Sequence, residues 1–137
     1  MSTVAGSYRN ASAIETDPDE LRDILWFRGR YGVTKDGRVF SHPKGGFLHG
    51  KKHPGVWLKP QRTAKGYLTV VLSDVWGHKK KITVHRCVAE AWIPNPDDLP
   101  QINHLNGLKQ DNRAENLEWC TAAANNAHAR ARKWRRD

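Results

Sequence analysis

The residues best suited to chemistry lie between positions 103 and 128, where histidines stand among several carboxamide side chains. An imidazole is neutral and basic near pH 7, because its unperturbed pKa is about 6.5. An asparagine offers both a donor and an acceptor, so it is suited to bracing a loop. The members of this set are Asn103, His104, Asn106, Asp111, Asn112, Asn116, Asn125, Asn126 and His128.

The surrounding pattern predicts a strand, a loop, a second strand and a helix for these residues. Residues 99–104 are predicted as a short strand that ends at His104, and Asn106-Gly107 opens a polar loop that continues to residue 115. Residues 116–120 are predicted as the second strand. Thr121 can cap a final helix that is rich in alanine.

The residues before this stretch predict mainly β-structure. Asp17-Pro18-Asp19-Glu20 has the composition of a helix start, and Gly29 follows closely, so a short helix is expected there. Residues 31–84 are predicted as short strands, with a hairpin turn at Asp36-Gly37. Residues 84–93 predict a helix that is stopped by Pro94.

This order of residues and elements closely resembles the HNH nucleases, whose shared core is the ββα-metal motif. With its upstream residues, it looks like the phage and intron-associated HNH homing endonucleases. The resemblance covers about residues 26–128 and is weaker before residue 83. It is carried by Asn103-His104-Leu105-Asn106-Gly107, Asp111-Asn112, Asn116-Leu117-Glu118-Trp119, Asn125-Asn126 and His128, and it extends to Thr83–Arg86, Ala89–Pro96, Tyr31–Ser41 and Lys65–Leu68.

The predicted fold class is therefore α+β. A small antiparallel β-rich N-terminal module is followed by a ββα-metal (HNH) core and a basic C-terminal helix. The expected boundaries are 1–25 for an N-terminal tail with a short helix, 26–84 for the β-rich DNA-binding module, and 85–137 for the nuclease core with its basic helix.

The resemblance implies a metal-dependent DNA endonuclease. His104 would be the general base that takes a proton from the attacking water. Asn116 would be the middle asparagine, which binds backbone across the loop and holds His104 in place. Asn103 and Asn125 would bind one divalent cation, Mg²⁺ or Mn²⁺, which acts as a Lewis acid. The implied products carry a 5′-phosphate and a 3′-hydroxyl.

The metal side departs from the family in its charge. Asn103 stands where many relatives have Asp, and Asn106 stands where the loop often has Asp before Gly. Because neutral amides bind Mg²⁺ less well than carboxylates do, weak metal affinity is expected without DNA. His128 shares a helix face with Asn125. As a ligand it would favour Mn²⁺, Ni²⁺ or Zn²⁺; a solvent-facing or phosphate-contacting role is the alternative.

The charge of the chain is segregated, and its net value of +9 points to a polyanionic partner. Residues 28–86 hold fourteen Lys or Arg against two acidic residues, a net of +12, and residues 129–137 have a net of +4. Residues 1–24 and 87–128 have nets of −3 and −4. Double-stranded DNA is the expected partner. The candidate contacts are Arg38, Lys59, Arg62, Lys65, Lys79, Lys80, Lys81, Arg86, Arg130, Arg132, Lys133, Arg135 and Arg136.

Most of the remaining histidines, tryptophans and cysteines are expected to be structural or solvated. His85 is expected to be structural, and Trp57, Trp76, Trp92 and Trp119 are expected in the core. His42, His49, His53 and His78 are expected in solvated loops, and Trp134 is a candidate for packing on DNA. Cys87 and Cys120 are expected to be buried free thiols.

Two other functions remain open from the sequence. A DNA-binding protein on a catalytically degenerate HNH scaffold would explain the neutral Asn103 and Asn106, and an RNA-binding module would explain the charge. No apolar run could span a bilayer and no signal peptide is recognised. A cytoplasmic protein is therefore expected, not secreted and in the host cytoplasm if phage-encoded, as a nicking monomer or a homodimer.

Overall fold

The structure, a computed structural model, describes residues 17–43, 47–48, 51–52 and 55–135, and side chains within 17–43 and 55–131. The predicted tail over residues 1–16 lies outside the described residues. The elements, in chain order, are β1 (Arg22–Asp23), β2 (Tyr31–Val33), β3 (Val39–Ser41), β4 (Phe47–Leu48), β5 (Lys51–Lys52), β6 (Val56–Trp57), β7 (Gln61–Arg62), β8 (Leu68–Ser73), β9 (Lys79–Thr83), α1 (Val84–Trp92), β10 (Gln101–His104), a 3₁₀ turn (Ala114–Asn116), β11 (Leu117–Cys120) and α2 (Ala122–Arg135).

The predicted N-terminal helix is wrong, because its capping signal produces only one turn. The Glu20 amide donates to the Asp17 carbonyl at 3.0 Å, and the Asp19 amide donates to Asp17 Oδ1 at 2.9 Å. The chain then enters β1, which pairs antiparallel with β2. Trp26 and Arg28 have φ values of 77° and 49°, which no α-helix allows. Strand pairing therefore overrides the local helix signal.

The β-rich region forms two small antiparallel sheets and a separate hairpin. One sheet has the strand order β1-β2-β3-β6, the other has β9-β8-β7, and β4 pairs with β5. The predicted Asp36-Gly37 turn joins β2 to β3, and Gly37 has the positive φ, 96°, that this turn requires. A side chain at Gly37 would meet Asn112 Cβ at 3.1 Å, so this turn packs directly against the polar loop after His104.

Helix α1 occupies the centre of the molecule and joins the β-rich region to the predicted nuclease core. Val84, Cys87, Val88 and Ala89 are buried on it, and the same core cluster contains residues of β2, β3, β8, β10 and β11. The apolar spacing on one side of α1 explains this burial. One continuous core therefore holds the C-terminal hairpin against the sheets, across the domain boundary that the sequence predicts at residue 84.

The tryptophans divide between core and surface. The Trp92 indole donates to the Val33 carbonyl at 2.9 Å, and the Trp119 indole donates to the Ile93 carbonyl at 3.0 Å. Both pack against the core as expected. The expectation is wrong for Trp57 and Trp76, which are 43% and 72% exposed, because Trp57 is on a short edge strand and Trp76 is in the β8–β9 turn. Cys87 and Cys120 are buried free thiols, as predicted.

Candidate active site

His104 ends β10 with its side chain only 6% exposed. Its Nε2 lies 2.9 Å from Asn112 Oδ1 in the loop that follows. A carboxamide oxygen only accepts hydrogen bonds, so this contact requires the proton on Nε2 and places the imidazole lone pair on Nδ1. The geometry therefore specifies Nδ1 as the basic atom of His104.

Asn116 binds the loop that leaves His104. Its Oδ1 accepts from the Asn106 amide at 3.0 Å, and its Nδ2 donates to Asn106 Oδ1 and to the Asp111 carbonyl, both at 2.9 Å. The Asn116 carbonyl also accepts from the Leu105 amide at 2.8 Å. Asn116 is 5% exposed, so each of these groups would be costly to leave unpaired. This side chain closes the loop, while Asn112 contacts the His104 ring.

Asp111 is part of the same loop, and its negative charge is compensated there by Arg113. Arg113 Nε and Nη2 donate to its two carboxylate oxygens at 2.7 and 2.8 Å, and Asn106 Nδ2 donates at 2.8 Å. The hydrogen bonds from Arg113 hold the pKa of Asp111 well below its usual range. This carboxylate is therefore charged and fully used in shaping the loop, which argues against its serving as a metal ligand.

Asn103 and Asn125 both lie where β10 meets α2. Asn103 is 4% exposed and its Nδ2 donates to Glu118 Oε1 at 3.1 Å. Asn125 Nδ2 donates to Gln101 Oε1 at 3.0 Å, and Gln101 and Asn103 share a strand face because they are two residues apart. The structure therefore brings the two predicted ligands to one side of the hairpin, where Glu118 adds a carboxylate.

These donors suit a hard divalent cation. Carboxamide and carboxylate oxygens are the protein ligands preferred by Mg²⁺ and Mn²⁺. His128, three residues after Asn125 on α2, has a buried Nδ1 with no hydrogen-bond partner among the described residues, and as a ligand it would favour a transition metal such as Mn²⁺. Within the described part of the chain, no three His, Cys, Asp or Glu side chains form a group that could hold a metal. The ligands that the sequence predicts at this place are the amide oxygens of Asn103 and Asn125.

A second histidine, His85, lies against the predicted base His104. The sequence did not predict this contact. The ring centroids of His85 and His104 are 4.9 Å apart, and that of Tyr67 lies 5.3 Å from His85 and 6.2 Å from His104. Burial, followed by the proximity of His104 and Arg86, lowers the pKa of His85 to about 4. His85 is therefore a neutral aromatic neighbour of His104 at physiological pH.

His85→Phe is expected to make stability less sensitive to acid. The folded-state pKa of His85 is about 4 and its ordinary value is 6.5, so the unfolded chain takes up the proton first as pH falls. The free energy of unfolding therefore falls as pH decreases from 6.5 towards 4, because the unfolded chain binds the proton that buried His85 does not. At pH 4.5 this loss amounts to about 2.5 kcal/mol. Urea unfolding at pH 7 and pH 4.5 measures this loss in wild type and variant.

His78→Phe is the control for this measurement, because the His78 side chain is 76% exposed on the β8–β9 turn. It should lose as much stability in acid as the wild type. Equal acid losses in wild type and His85→Phe would contradict the buried, neutral state of His85.

A basic groove runs beside this site. Its cavity of about 670 Å³ lies between the β7–β8 turn, the loop after His104 and α2. Four cationic residues line it: Arg62, Lys65, Lys109 and Arg130. Lys109 was not predicted, because it lies in a segment of net negative charge; its Nζ donates to the Lys65 carbonyl at 2.9 Å.

The other predicted DNA contacts differ in whether their charge is exposed or compensated within the protein. Lys59 and Lys79 to Lys81 are exposed. Arg38 is bound by Asp19 at 2.7 Å and Asp36 at 3.1 Å, so its charge is compensated within the protein. Arg86 donates to the Pro100 carbonyl at 3.2 Å and lies 3.7 Å from Glu90. The predictions outside the described side chains are those for His49, His53, Arg132, Lys133, Trp134, Arg135 and Arg136.

Comparisons with known proteins show which family this chain resembles. Residues 83–127 match the family model for HNH endonuclease. The chain is 42% identical over 98 residues to an uncharacterized HNH endonuclease of Acanthamoeba polyphaga mimivirus, covering 72% of this chain and 26% of that relative. It is 30% identical over 106 residues to the DNA endonuclease I-HmuI of Bacillus phage SP01, covering 77% and 55%.

The solved structure of the HNH homing endonuclease I-HmuI, which concerns DNA binding and cleavage, superimposes with a TM-score of 0.65 at 30% identity. The match covers 83% of this chain and 59% of that one. The predicted α+β fold is thereby confirmed. This chain spans about a quarter and about a half of the lengths of the two relatives above.

Proposed function

This chain carries an HNH endonuclease domain at residues 83–127, as its sequence indicated, and we propose that it is a metal-dependent DNA endonuclease of the homing-endonuclease type. The observation that carries this proposal is the 2.9 Å contact between His104 Nε2 and Asn112 Oδ1, which directs a lone pair to Nδ1. The predicted metal ligands are Asn103, which precedes His104 on β10, and Asn125 on α2. A base and an electrophilic site thus flank one strand end.

The proposed reaction is the hydrolysis of a phosphodiester bond. His104 Nδ1 takes a proton from water as the water oxygen forms a bond to phosphorus. The bond from phosphorus to the 3′ oxygen breaks, which leaves a 5′-phosphate and, after protonation, a 3′-hydroxyl. Asn116 keeps the loop closed, so that the imidazole holds its position during the transfer. A divalent cation on Asn103 and Asn125 would supply Lewis-acid stabilisation of charge on the phosphate and the leaving oxygen.

A plasmid-nicking assay tests this function directly. Supercoiled DNA should be converted to the open circle with Mg²⁺ or Mn²⁺ and should stay intact in EDTA. Accumulation of open circles before linear DNA would indicate that a monomer cuts one strand, whereas direct linearisation would require paired active sites. Intact plasmid with every divalent metal tested would reject the nuclease and favour the degenerate-scaffold alternative, for which the neutral Asn103 is the supporting observation.

Duplex DNA is the proposed substrate, bound along the basic groove. Its cationic lining lies next to the loop of the active site, so the groove can hold the backbone of the strand that is cut. Competition between duplex DNA and duplex RNA at matched salt distinguishes this proposal from the RNA-binding alternative.

Neither described helix could cross a membrane. We further propose that the protein acts in the cytoplasm, that of the host if it is phage-encoded.

Neutralising the basic groove is expected to weaken DNA binding and its dependence on salt. In a triple variant, Arg62→Ala, Lys65→Ala and Arg130→Ala, the slope of log K against log salt should become less steep by about 0.9 for each phosphate that the protein no longer neutralises. Fluorescence anisotropy with a labelled duplex between about 50 and 200 mM salt measures this slope.

The matched control for the groove is Arg38→Gln, because Asp19 and Asp36 already compensate this guanidinium. It should keep the wild-type slope. A triple variant with the wild-type slope would mean that DNA does not follow the basic groove.

A further inference from the structure

We propose that Glu118 positions Asn103 as a metal ligand, and that its carboxylate sets the affinity of the chain for the divalent cation. The inference rests on the proposed function, since it concerns the metal side of the same site. It assigns a role to a residue that is exposed on β11 and that neither the base nor the loop network uses.

The hairpin register places Glu118 directly opposite Asn103. The two residues are cross-strand partners of β10 and β11, and Asn103 Nδ2 donates to Glu118 Oε1 at 3.1 Å. Because a carboxylate only accepts hydrogen bonds, the amide of Asn103 must direct its nitrogen to Glu118. Its oxygen, the only atom of the group that binds a cation, is then directed away from the carboxylate.

Burial makes this orientation consequential. Asn103 is 4% exposed, so the amide has little freedom to adopt another position. Rotating the amide by half a turn would bring two oxygens into contact and would present nitrogen to the cation instead. Partners of this kind, which hold a ligand by a hydrogen bond, commonly account for about 10–100-fold in metal affinity. Glu118 therefore selects the ligating orientation of Asn103.

The charge of Glu118 supports the same role. Glu118 makes no ion pair with any side chain that the structure describes, whereas the nearby Glu115 lies 3.7 Å from Arg113. A hydrogen bond to a carboxylate also polarises the amide and makes its oxygen a better ligand. Asn103 is neutral where many HNH nucleases have Asp, so the negative charge is supplied here from the opposite strand.

The test measures Mn²⁺ affinity in a complex with a short DNA duplex, by the EPR signal of free Mn²⁺. All proteins carry His104→Ala, which blocks cleavage and keeps the duplex intact. Glu118→Gln is expected to weaken Mn²⁺ binding by about 10–100-fold. Glu115→Gln removes a charge of the same sign from the 3₁₀ turn before β11 and should leave the affinity unchanged. Thermal unfolding of each variant establishes that it is folded.

A rescue variant separates positioning from a general structural role. In the double variant Asn103→Asp with Glu118→Gln, the amide of residue 118 can donate to the new carboxylate, so the hydrogen bond is restored with its polarity reversed. Because the new carboxylate is itself a better ligand, the double variant is compared with Asn103→Asp alone, in which two carboxylates face each other. The Mn²⁺ affinity of the double variant should equal or exceed that of Asn103→Asp. If Glu118 acted only on folding, Glu118→Gln would lower the affinity whether residue 103 is the native Asn or carries the Asn103→Asp substitution.

Three results would overturn the inference: unchanged affinity in Glu118→Gln, an equal loss in Glu115→Gln, or a parent complex that binds no Mn²⁺. The first two results are independent of the nuclease proposal, which the wild-type nicking assay decides. A wild type that nicks DNA while Glu118→Gln binds Mn²⁺ normally would leave the nuclease standing and remove the role of Glu118. The reverse pattern would leave the metal-side assignment and remove the nuclease.

Discussion

His104→Ala is expected to lower the rate of plasmid nicking by about 10²–10⁴-fold, the contribution that a general base makes. The variant removes the imidazole, whose contact of Nε2 with Asn112 Oδ1 places the lone pair on Nδ1. It leaves the basic groove intact, so affinity for duplex DNA should be unchanged. Single-turnover nicking, measured together with anisotropy, separates the two effects.

The stability of His104→Ala should also fall, because Asn112 Oδ1 loses its partner in a buried position. Asn112 is 4% exposed, and an unpaired buried acceptor costs about 1–3 kcal/mol. Urea unfolding checks that the variant is folded under the assay conditions. His78→Ala is the control, since it removes an exposed imidazole from the β8–β9 turn. Its contact with Asp74 at 3.3 Å is an exposed one of small energy, so the variant should keep the wild-type nicking rate and nearly the wild-type stability.

Two outcomes would contradict the assignment of His104 as the base. If His104→Ala nicks plasmid at the wild-type rate, another group must activate the water, and His85 at 4.9 Å is the first to test. If both proteins bind duplex DNA but neither cuts it with any divalent metal, the HNH scaffold is used for binding alone.

The sequence predicted those site residues that are recognisable by local order. The resemblance to HNH nucleases singled out His104, Asn116, Asn103 and Asn125 on a strand, loop, strand and helix. The structure places Asn103 and His104 on the first strand and Asn125 on the helix, whereas Asn116, predicted to begin the second strand, ends the 3₁₀ turn before it. Glu118 was also within reach, because pairing two strands around His104 and Leu117 puts it opposite Asn103. The proposed role of Glu118 depends on a side-chain hydrogen bond to Asn103. The alternation of residues along paired strands puts the two side chains on one face, but it does not specify that bond.

Other features depend on contacts that are distant in the sequence. Asn112 contacts His104 because the loop between them folds over the Asp36-Gly37 turn, where Gly37 leaves room for Asn112 and the Lys35 carbonyl accepts from the Ala114 amide at 2.8 Å. No periodicity in a polar loop predicts such a path. The N-terminal helix was predicted wrongly for the same reason: pairing of β1 with β2 determined the conformation, and the capping residues at Asp17 did not.

Asn112 is therefore the position where a second large effect is expected. Asn112→Leu keeps the approximate volume of the side chain and removes the acceptor for His104 Nε2. The imidazole then loses the bond that selects its tautomer and orientation, and nicking should slow by about 10²-fold, the lower end of what a general base contributes. DNA affinity should not change, because Asn112 is buried and lies outside the basic groove.

Asn112→Asp distinguishes a tautomer-selecting role from simple packing. A carboxylate also accepts from Nε2, so the proton stays on that nitrogen and Nδ1 keeps its lone pair. The added charge favours the protonated imidazole, so the acid limb of the pH–rate profile should move upward by about 1 pH unit or more. Activity near the wild-type level should return at high pH in Asn112→Asp but not in Asn112→Leu.

The pH–rate profiles of Asn112→Asp and Asn112→Leu separate the two roles without a measurement of stability, because a packing defect slows nicking at every pH. If Asn112→Asp is as slow as Asn112→Leu across the whole range, then Asn112 serves only to fill the space between the Gly37 turn and His104. If the acid limb moves while the plateau recovers, the turn, the loop and the imidazole form one continuous support. The β-rich region would then contribute to catalysis through Asn112, in addition to any contact that it makes with DNA.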